Sequence, residues 1–394
     1  MKKALSLILS ICMLFSLVTI GFAGHKDSAA LRFDENGNLK IMVLADVQDS
    51  YPLHYDTIRF IEEALDFSNP DVVVFCGDNI VDADERAFKE MLTPLVERGV
   101  PFTFVFGNHD EEAGFDKQTQ LEIYQSYPGC LAYDAVPELH GCATHNLPVL
   151  SSDGSKIAFN LWMFDCGDYV YDSYGEWLGY DWVREDQIEW YNTTREELKA
   201  ENGGELVPSM VFQHIIPQEP CEKIFYPIDM NLGELTFNFS DGTHLTVVPD
   251  ITQLEEGYVF EKSCPSYGND GQWDALVQGG DVLGMVVGHD HVNNFIVNCD
   301  GVDLIMAPGV TNNSYYNEFM QGAKVIEINE NNPWEYTTYT MTANELAMQE
   351  GSGLGDEADR NQFDYTLNYY LEKVFAIFHR ILAELFGEFV NGEL

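Results

Sequence analysis

Five short polar motifs carry the residues of this chain that could do metal chemistry. In chain order they are Asp46-Val47-Gln48, Gly77-Asp78-Asn79, Gly107-Asn108-His109-Asp110, His214, and Gly288-His289-Asp290-His291. Carboxylate, amide and imidazole groups are the ligands that divalent cations take from proteins. A two-metal hydrolase needs one carboxylate that bridges ions about 3.5–4 Å apart, so that a bound water loses its proton and becomes a nucleophile. The residue types therefore fit a two-metal hydrolytic site.

Each motif stands at the end of a stretch that the sequence predicts to be a buried strand. Apolar runs at residues 39–45, 72–76 and 102–106 end at the first three motifs, and runs at 210–214 and 284–287 lead to the last two. One Asp or His at a strand end is more often an ordinary turn residue. Five strand ends together favour a single site, because ligands of α/β sheets bind beyond the carboxyl ends of the strands.

The elements between the motifs predict a sheet covered by helices. Residues 57–67 and 84–98 carry apolar side chains at helical spacing and alternate with the first three strands, which is typical of βαβ units. Further strands are predicted at residues 156–164, 295–297, 304–306 and 324–328. Residues 111–155 and 215–273 are too long for plain connections, so we interpret them as insertions that roof or flank the site.

The ordered motifs resemble the five signature motifs of calcineurin-like metallophosphoesterases, over roughly residues 38–330. Five segments look like the single-domain purple-acid-phosphatase-like branch: Gly77-Asp78-Asn79-Ile80, Gly179-Tyr180-Asp181-Trp182, Gln187-Ile188-Glu189-Trp190, His214-Ile215-Ile216-Pro217 and Gly288-His289-Asp290-His291-Val292-Asn293. The resemblance implies a four-layer α/β/β/α sandwich over a catalytic domain at residues 38–346. It also implies hydrolysis of phosphate esters by attack of a metal-bound hydroxide.

The resemblance implies a role for each motif residue. Asp46, Gln48, Asp78 and His291 would hold the first metal, and Asp78, Asn108, His214 and His289 would hold the second. His109 would stabilise the transferring phosphoryl group and protonate the leaving oxygen. Asp110 would orient His109, as carboxylates commonly do for imidazoles.

Two positions depart from the family pattern. Gln48 stands where the first motif usually ends in His, and an amide oxygen is a harder ligand than imidazole. We therefore expect manganese first, with magnesium, calcium, iron or zinc as alternatives. Val81 stands where coloured purple acid phosphatases place a tyrosinate ligand, so iron–tyrosinate chemistry is not carried over.

Three interpretations of function stay open. A phosphomonoesterase is favoured, and a phosphodiesterase or nucleotide diphosphatase comes second, because the Asp-x-Gln motif also resembles manganese-dependent diphosphatases. A protein of another class, which binds metal or phosphate without catalysis, would follow if Gln48 impairs the first metal site.

The ends and the charge of the chain bear on where it acts. Residues 1–23 have the layout of a secretory signal peptide, and a retained transmembrane helix is the alternative. Cleavage would leave a secreted protein with no stable membrane span. The net charge of −45 argues against nucleic acid as a partner and leaves a small phosphate ester as the expected substrate.

Two further expectations concern cross-links and assembly. Cys130 and Cys142 would close a short loop, so they are the favoured disulfide pair in an exported protein. Residues 351–361 are typical of a linker, and residues 362–390 have the apolar spacing of one amphipathic helix. That helix could dock on the main domain, form a dimer or bind a surface.

Overall fold

The computed structural model describes residues 30–112, 114–227, 236–238, 244–349, 352 and 354. The predicted signal peptide at residues 1–23 and the predicted helix at residues 362–390 lie outside these residues, as does nearly all of the predicted linker. Two β-sheets form the centre of the described part. One has five strands and the other has seven.

The five-stranded sheet is built around three parallel strands. Its strands are β1 (Asn38–Leu44), β2 (Val72–Cys76), β3 (Phe102–Val105), β16 (Gly322–Asn329) and β17 (Tyr336–Thr342). Their order across the sheet is β17-β16-β1-β2-β3. Helices α1 (Tyr55–Ser68) and α2 (Glu85–Arg98) connect β1 to β2 and β2 to β3, as parallel neighbours require. The βαβ units predicted from the sequence are therefore confirmed.

The seven-stranded sheet takes its strands from the rest of the chain. They are β4 (His145–Leu150), β5 (Ile157–Met163), β8 (Ser209–Phe212), β12 (Glu256–Val259), β13 (Val282–Val287), β14 (Asn293–Cys299) and β15 (Val302–Met306). Their order across the sheet is β12-β14-β15-β13-β8-β5-β4. The predicted strands 156–164, 210–214, 284–287, 295–297 and 304–306 are thus confirmed, with shifted ends.

The remaining elements lie on or between these sheets. The helices are α3 (Lys117–Gln125), α4 (Glu185–Glu201), α5 (Gln218–Ile224), α6 (Gln272–Gly279) and α7 (Ala343–Ala347), with a 3₁₀ turn at Ile251–Gln253. A two-stranded ribbon contains β6 (Tyr169–Tyr171) and β7 (Trp177–Tyr180). A small sheet contains β9 (Phe225–Pro227), β10 (Thr236–Asn238) and β11 (His244–Pro249).

Three apolar layers show how the sheets and helices stack. The layer between the two sheets includes Ile41 and Val74 of one sheet and Phe159 and Phe212 of the other, all fully buried. A second layer packs the outer face of the five-stranded sheet against α1, α2, α3 and α7. A third packs the outer face of the seven-stranded sheet against α4, α5 and α6. The expected four-layer α/β/β/α sandwich is confirmed.

The two long insertions do more than flank the site. Residues 111–155 supply α3 and also β4, which pairs with β5 at one edge of the seven-stranded sheet. Residues 215–273 supply β12, which pairs with β14 at the opposite edge. Both insertions therefore extend the seven-stranded sheet.

The expected Cys130–Cys142 disulfide is wrong, because every cysteine of the described residues is a free thiol. The backbone of Cys130 forms an isolated parallel β-bridge with Phe102 of β3. Burial of the Cys130 side chain among apolar residues raises the pKa of its thiol to about 12. Cys142 instead lies beside Asp165, whose carboxylate accepts from the Cys142 amide at 2.7 Å. The described part of the chain also has no helix that is long and apolar enough to cross a bilayer.

Candidate metal centre

The polar motifs meet at one end of the sandwich, where strands of both sheets finish. Asp46 follows β1 and Asp78 follows β2, whereas His214 follows β8 and His289 follows β13 of the other sheet. Left-handed backbone occurs at Asp46 (φ 52°), Gln48 (φ 44°), Asp78 (φ 50°) and His289 (φ 77°). Such φ values are rare for residues with side chains and are typical of functional sites. The backbone is therefore bent here to bring ligand groups together.

Two groups of ligand atoms share Asp78. Asp78, His214 and His289 form one, and Asp46, Asp78 and His291 form the other, with ligand atoms within 4.8 Å of one another in each. Asp78 Oδ2 lies 3.2 Å from His214 Nε2, and Asp46 Oδ1 lies 3.5 Å from His291 Nε2. A carboxylate common to two neighbouring groups is the arrangement that a bridged pair of cations needs.

Several of these atoms lack hydrogen bonds although they are buried. Among the described residues, no hydrogen-bond partner is found for Gln48 Oε1, Asn108 Oδ1 or His289 Nε2, and Asp78 Oδ2 and His214 Nε2 have none besides each other at 3.2 Å. A buried polar atom without a partner costs about 1–3 kcal/mol, so it needs a reason. All five are electron-pair donors of the kind that bind divalent cations. The donor set therefore fits a metal centre.

Hydrogen bonds fix the orientation of two of the imidazoles. His214 Nδ1 lies 2.9 Å from the carbonyl oxygen of Cys76, and His291 Nδ1 lies 2.8 Å from that of Tyr315. A carbonyl oxygen only accepts, so each Nδ1 carries the proton and each Nε2 presents a lone pair. The Nε2 atoms are the ones that point into the two ligand groups.

The carboxylates make His214 strongly basic when no cation is bound. Burial opposes a charged imidazole, but Asp78 and Asp46 outweigh it and raise the pKa of His214 to about 10. Burial and the nearby His214 lower the pKa of His289 well below its usual range. A proton on His214 thus occupies the place between the carboxylates that a cation would take, and metal binding must displace it.

Two glycines are required by close packing around Asp78 and His214. A Cβ atom on Gly77 would lie 2.4 Å from His214 Nδ1, and one on Gly107 would lie 2.2 Å from Asp78 Oδ1. Side chains at these positions would displace the ligand groups. The glycines of the second and third motifs are therefore part of the site's construction.

The remaining predicted ligands lie beside this cluster. The backbone amide of Gln48 donates to the backbone carbonyl oxygen of Asp78 at 2.8 Å, and this bond holds the first and second motifs together. Asn108 Nδ2 donates to the hydroxyl of Tyr169 at 2.8 Å, which leaves Asn108 Oδ1 as its free ligand atom. His109 is partly exposed, and its amide donates to Asp78 Oδ1 at 2.8 Å.

The expectation that Asp110 orients His109 is wrong. The Asp110 carboxylate is buried and accepts from the amides of Gly107, Asp78 and Asn79 at 2.7, 3.0 and 2.8 Å. It therefore joins the loops after β2 and β3. The carboxylate that contacts the His109 imidazole is that of Glu112, whose Oε2 lies 2.6 Å from His109 Nδ1. Sequence reasoning chose the adjacent acid, although residue 112 lies on the same turn.

Tyrosines complete the surroundings of the site. The Tyr169 hydroxyl donates to Glu112 Oε1 at 2.8 Å and lies 3.4 Å from His109 Nδ1. The Tyr180 ring contacts His289 with centroids 4.3 Å apart, and the Tyr315 ring stacks on His291 at 4.2 Å. Nothing in the sequence between residues 169 and 182 assigned Tyr169 to His109.

Comparison with known proteins gives related sequences over most of the chain. Residues 39–293 match the family described as calcineurin-like phosphoesterase. "Probable inactive purple acid phosphatase 14" of Arabidopsis thaliana is 26% identical over 322 residues, which cover 72% of this chain and 73% of that protein. "Phosphatase DCR2" of Saccharomyces cerevisiae is 26% identical over 317 residues, which cover 72% of this chain and 50% of that protein. A dimetal phosphatase from Danio rerio superposes with a TM-score of 0.47 at 14% identity, covering 77% of this chain and 98% of that chain.

Proposed function

The chain belongs to the calcineurin-like phosphoesterase family of metal-dependent phosphoester hydrolases, and on that basis we propose that it is a phosphomonoesterase of small organic phosphates that uses two divalent cations. One observation carries this proposal. Buried donor atoms without hydrogen-bond partners among the described residues collect around Asp78, which belongs to both ligand groups.

Each ligand residue has a defined place in the proposed site. Asp46, Gln48, Asp78 and His291 would hold the first cation, and Asp78, Asn108, His214 and His289 would hold the second. When bound, such cations lower the pKa of water and neutralise phosphate oxygens. Removal of the Asp78 carboxylate would therefore affect both positions at once.

His109 acts on the substrate in this proposal. Its Nδ1 is engaged by Glu112 at 2.6 Å, so Nε2 is the ring nitrogen that remains for the phosphoryl group or the leaving oxygen. The Tyr169 hydroxyl holds Glu112 from the other side at 2.8 Å. A proton held on Nε2 can pass to the leaving alkoxide, as general acids of this type do.

The first cation is proposed to be manganese. Gln48 offers an amide oxygen, and its Oε1 is buried without a partner among the described residues. Oxygen donors suit harder ions such as manganese or magnesium, whereas imidazole suits zinc.

The reaction is proposed to take place outside the cytoplasm, on the support of the signal-like residues 1–23. A dimer through residues 362–390 remains a proposal that light scattering of the full chain would test.

A second candidate is a protein that binds metal and phosphate without turnover. Two observations favour it: Gln48 replaces the usual imidazole of the first motif, and the Arabidopsis relative carries the word inactive in its name. Loss of one strong ligand would weaken the binding of the first cation without disturbing the fold.

Turnover of two model esters separates these candidates. Manganese-loaded protein is assayed with p-nitrophenyl phosphate and with bis-p-nitrophenyl phosphate, and Asp78→Asn is the matched control. We expect faster turnover of the monoester and none by the variant. A faster reaction with the diester would replace the monoesterase by a diesterase, and no turnover of either ester would favour the binding protein.

A further inference from the structure

Four aromatic side chains share one face of the β6–β7 ribbon. Tyr169 pairs with Tyr180 in the antiparallel register, and directly paired residues lie on the same face. The register shifts between Val170 and Tyr171, which pairs with Trp177, and ring contacts place these two side chains beside the first pair. The ring centroids are 5.8 Å apart for Tyr169 and Tyr180, 6.4 Å for Tyr169 and Tyr171, and 5.7 Å for Trp177 and Tyr180. We call this surface the aromatic face.

The inner end of the aromatic face touches the metal centre. Tyr180 contacts the ring of His289 at 4.3 Å, and Tyr169 hydrogen-bonds Asn108 at 2.8 Å. The Tyr169 ring also lies 6.3 Å from that of His109, edge to face. A phosphoryl group held at this centre would therefore have its leaving group beside the inner end of the ribbon.

The outer end of the aromatic face is open to solvent. Tyr171 and Trp177 are 56% and 54% exposed, and together they form an exposed aromatic patch of the kind that marks binding sites. The opposite face of the ribbon packs on the protein, since a Cβ atom on Gly179 would lie 2.6 Å from Tyr267 Cβ. The aromatic face is thus held against the domain from behind and is uncovered in front.

The charged groups around the ribbon favour a neutral ring over a second phosphate. Lys117, at the base of the ribbon, is already paired with Asp165 at 3.0 Å and Asp168 at 2.6 Å. Arg184 is paired with Asp181. Neither cation is free to hold a further phosphate of a nucleotide, and the net charge of −45 opposes a polyanion.

An ammonium group is the alternative occupant, since aromatic rings also attract cations. Two carboxylates near the ribbon are engaged within the protein: Asp172 Oδ1 accepts from the backbone amides of Tyr174 and Glu176 in the turn, at 2.8 and 2.9 Å, and Glu112 accepts from the Tyr169 hydroxyl at 2.8 Å. The neighbouring rings, with centroids 5.7 to 6.4 Å apart, offer an extended surface on which a flat ring can stack.

We propose that the aromatic face is a subsite for the leaving group, and that it selects monophosphate esters of flat aromatic alcohols. This rests on the proposed function for the position of the phosphate. Tyr169 and Tyr180 contact the ring next to the ester oxygen, and Tyr171 and Trp177 contact its far side. The residues act on substrate binding and leave the metal ligands in place.

Kinetics with matched substrates test the proposal. Wild type, Trp177→Ala and Tyr171→Ala are compared on 2-naphthyl phosphate, glycerol 2-phosphate and phosphocholine, each with manganese. Comparison of variants on one substrate cancels the intrinsic reactivity of its leaving group. Trp334→Ala, which removes another exposed tryptophan (44%), is the control.

We expect each aromatic variant to lower kcat/KM for 2-naphthyl phosphate about tenfold, mainly through KM, because ring stacking contributes at least that factor. The other two substrates and the Trp334 variant should stay within about twofold, since ordinary surface changes are near neutral. An unchanged kcat/KM for 2-naphthyl phosphate would overturn the proposal. A loss confined to phosphocholine would also overturn it, in favour of an ammonium site.

Binding without turnover keeps this test separate from that of the proposed function. Naphthylmethylphosphonate and methylphosphonate are titrated into the manganese-loaded protein by calorimetry, since neither is hydrolysed at its P–C bond. We expect the naphthyl compound to bind at least tenfold more tightly, and Trp177→Ala to remove that gain. Equal affinities would refute the aromatic subsite even if the protein hydrolyses esters, and the expected difference would support it even if no ester is turned over.

Discussion

Lys324 is a buried cation whose removal should stabilise the protein. It lies on β16 opposite Val43, on the side that faces the layer between the two sheets, and only 1% of it is exposed. Its Nζ donates to Asn294 Oδ1 of the other sheet at 2.9 Å and to Thr340 Oγ1 at 3.1 Å. Neither partner is charged, so the ammonium group is desolvated without a carboxylate in contact.

The pKa gives the size and the sign of the effect. Burial lowers the pKa of Lys324 from 10.5 to about 8, with Glu256 acting weakly in the other direction. At about 1.4 kcal/mol per pKa unit, the charged form costs the folded state roughly 3 kcal/mol below pH 8. Between pH 8 and 10.5 the unfolded chain binds more protons, so the free energy of unfolding of the wild type rises with pH.

Replacement of Lys324 by Met removes this cost of roughly 3 kcal/mol, but it also loses hydrogen bonds that contribute about 1 kcal/mol. The free energy of unfolding at pH 7 should therefore rise by about 2 kcal/mol. Asn294 Oδ1 keeps the Thr340 hydroxyl as a donor at 3.1 Å. The difference between variant and wild type should shrink to zero or below by about pH 10.5, because the wild type has then lost its buried charge.

Urea denaturation at pH 7, 8, 9 and 10, with one fixed metal concentration, measures this difference. Lys40→Met is the matched control, because Lys40 lies on the neighbouring strand and pairs with Glu327 at 3.0 Å near the surface. Its removal should change the free energy of unfolding by less than about 1 kcal/mol. Destabilisation of Lys324→Met at pH 7, or a gain that stays constant up to pH 10, would refute the reasoning.

Three predictions concern the site. His109→Ala should lower kcat by about 10²–10⁴ with both metals retained, because the residue is assigned to the substrate; loss of one metal equivalent on elemental analysis would contradict that role. Glu112→Gln should lower kcat without changing KM or metal content, and Glu112→Asp should recover part of the lost activity. Asp110→Asn should mainly reduce stability in thermal unfolding. If Asp110→Asn lowered kcat at unchanged stability and Glu112→Gln did not lower kcat, the orienting role would return to Asp110. Gln48→His should shift the first site from manganese toward zinc in calorimetric titrations of the stripped protein, and equal zinc-to-manganese ratios in both proteins would place Gln48 outside the ligand set.

The central strands could be predicted because burial on both faces demands continuous apolar runs, as in Val72–Cys76. In the two large sheets, the strands that sequence reasoning missed are β4, β12 and β17, and all three lie at sheet edges. β4 contains His145 and Pro148, and β17 is rich in Thr and Tyr, so neither has a pattern that stands out from a loop. Edge strands tolerate such residues because one side forms no ladder hydrogen bonds. Their place in the fold depends on the partner strand.

The same distinction applies to the site, where some residues could be placed from the sequence and others could not. Asp46, Asp78, His214, His289 and His291 could be brought together from the sequence because each stands at a strand end, and the geometry follows from the sheet. Tyr169 is 60 residues from His109 and meets it only through the position of the ribbon. Asp110 and Glu112 are chemically equivalent in the sequence, and only the direction of the loop decides which one reaches the imidazole.

The central claim is that Asp78 joins two cations at one site, and anomalous diffraction from crystals grown with manganese tests it most directly. We predict two anomalous peaks about 3.5–4 Å apart, each in contact with a carboxylate oxygen of Asp78. One peak should lie beside Asp46 and His291, and the other beside His214 and His289. A single peak, or two peaks that do not share Asp78, would contradict the account.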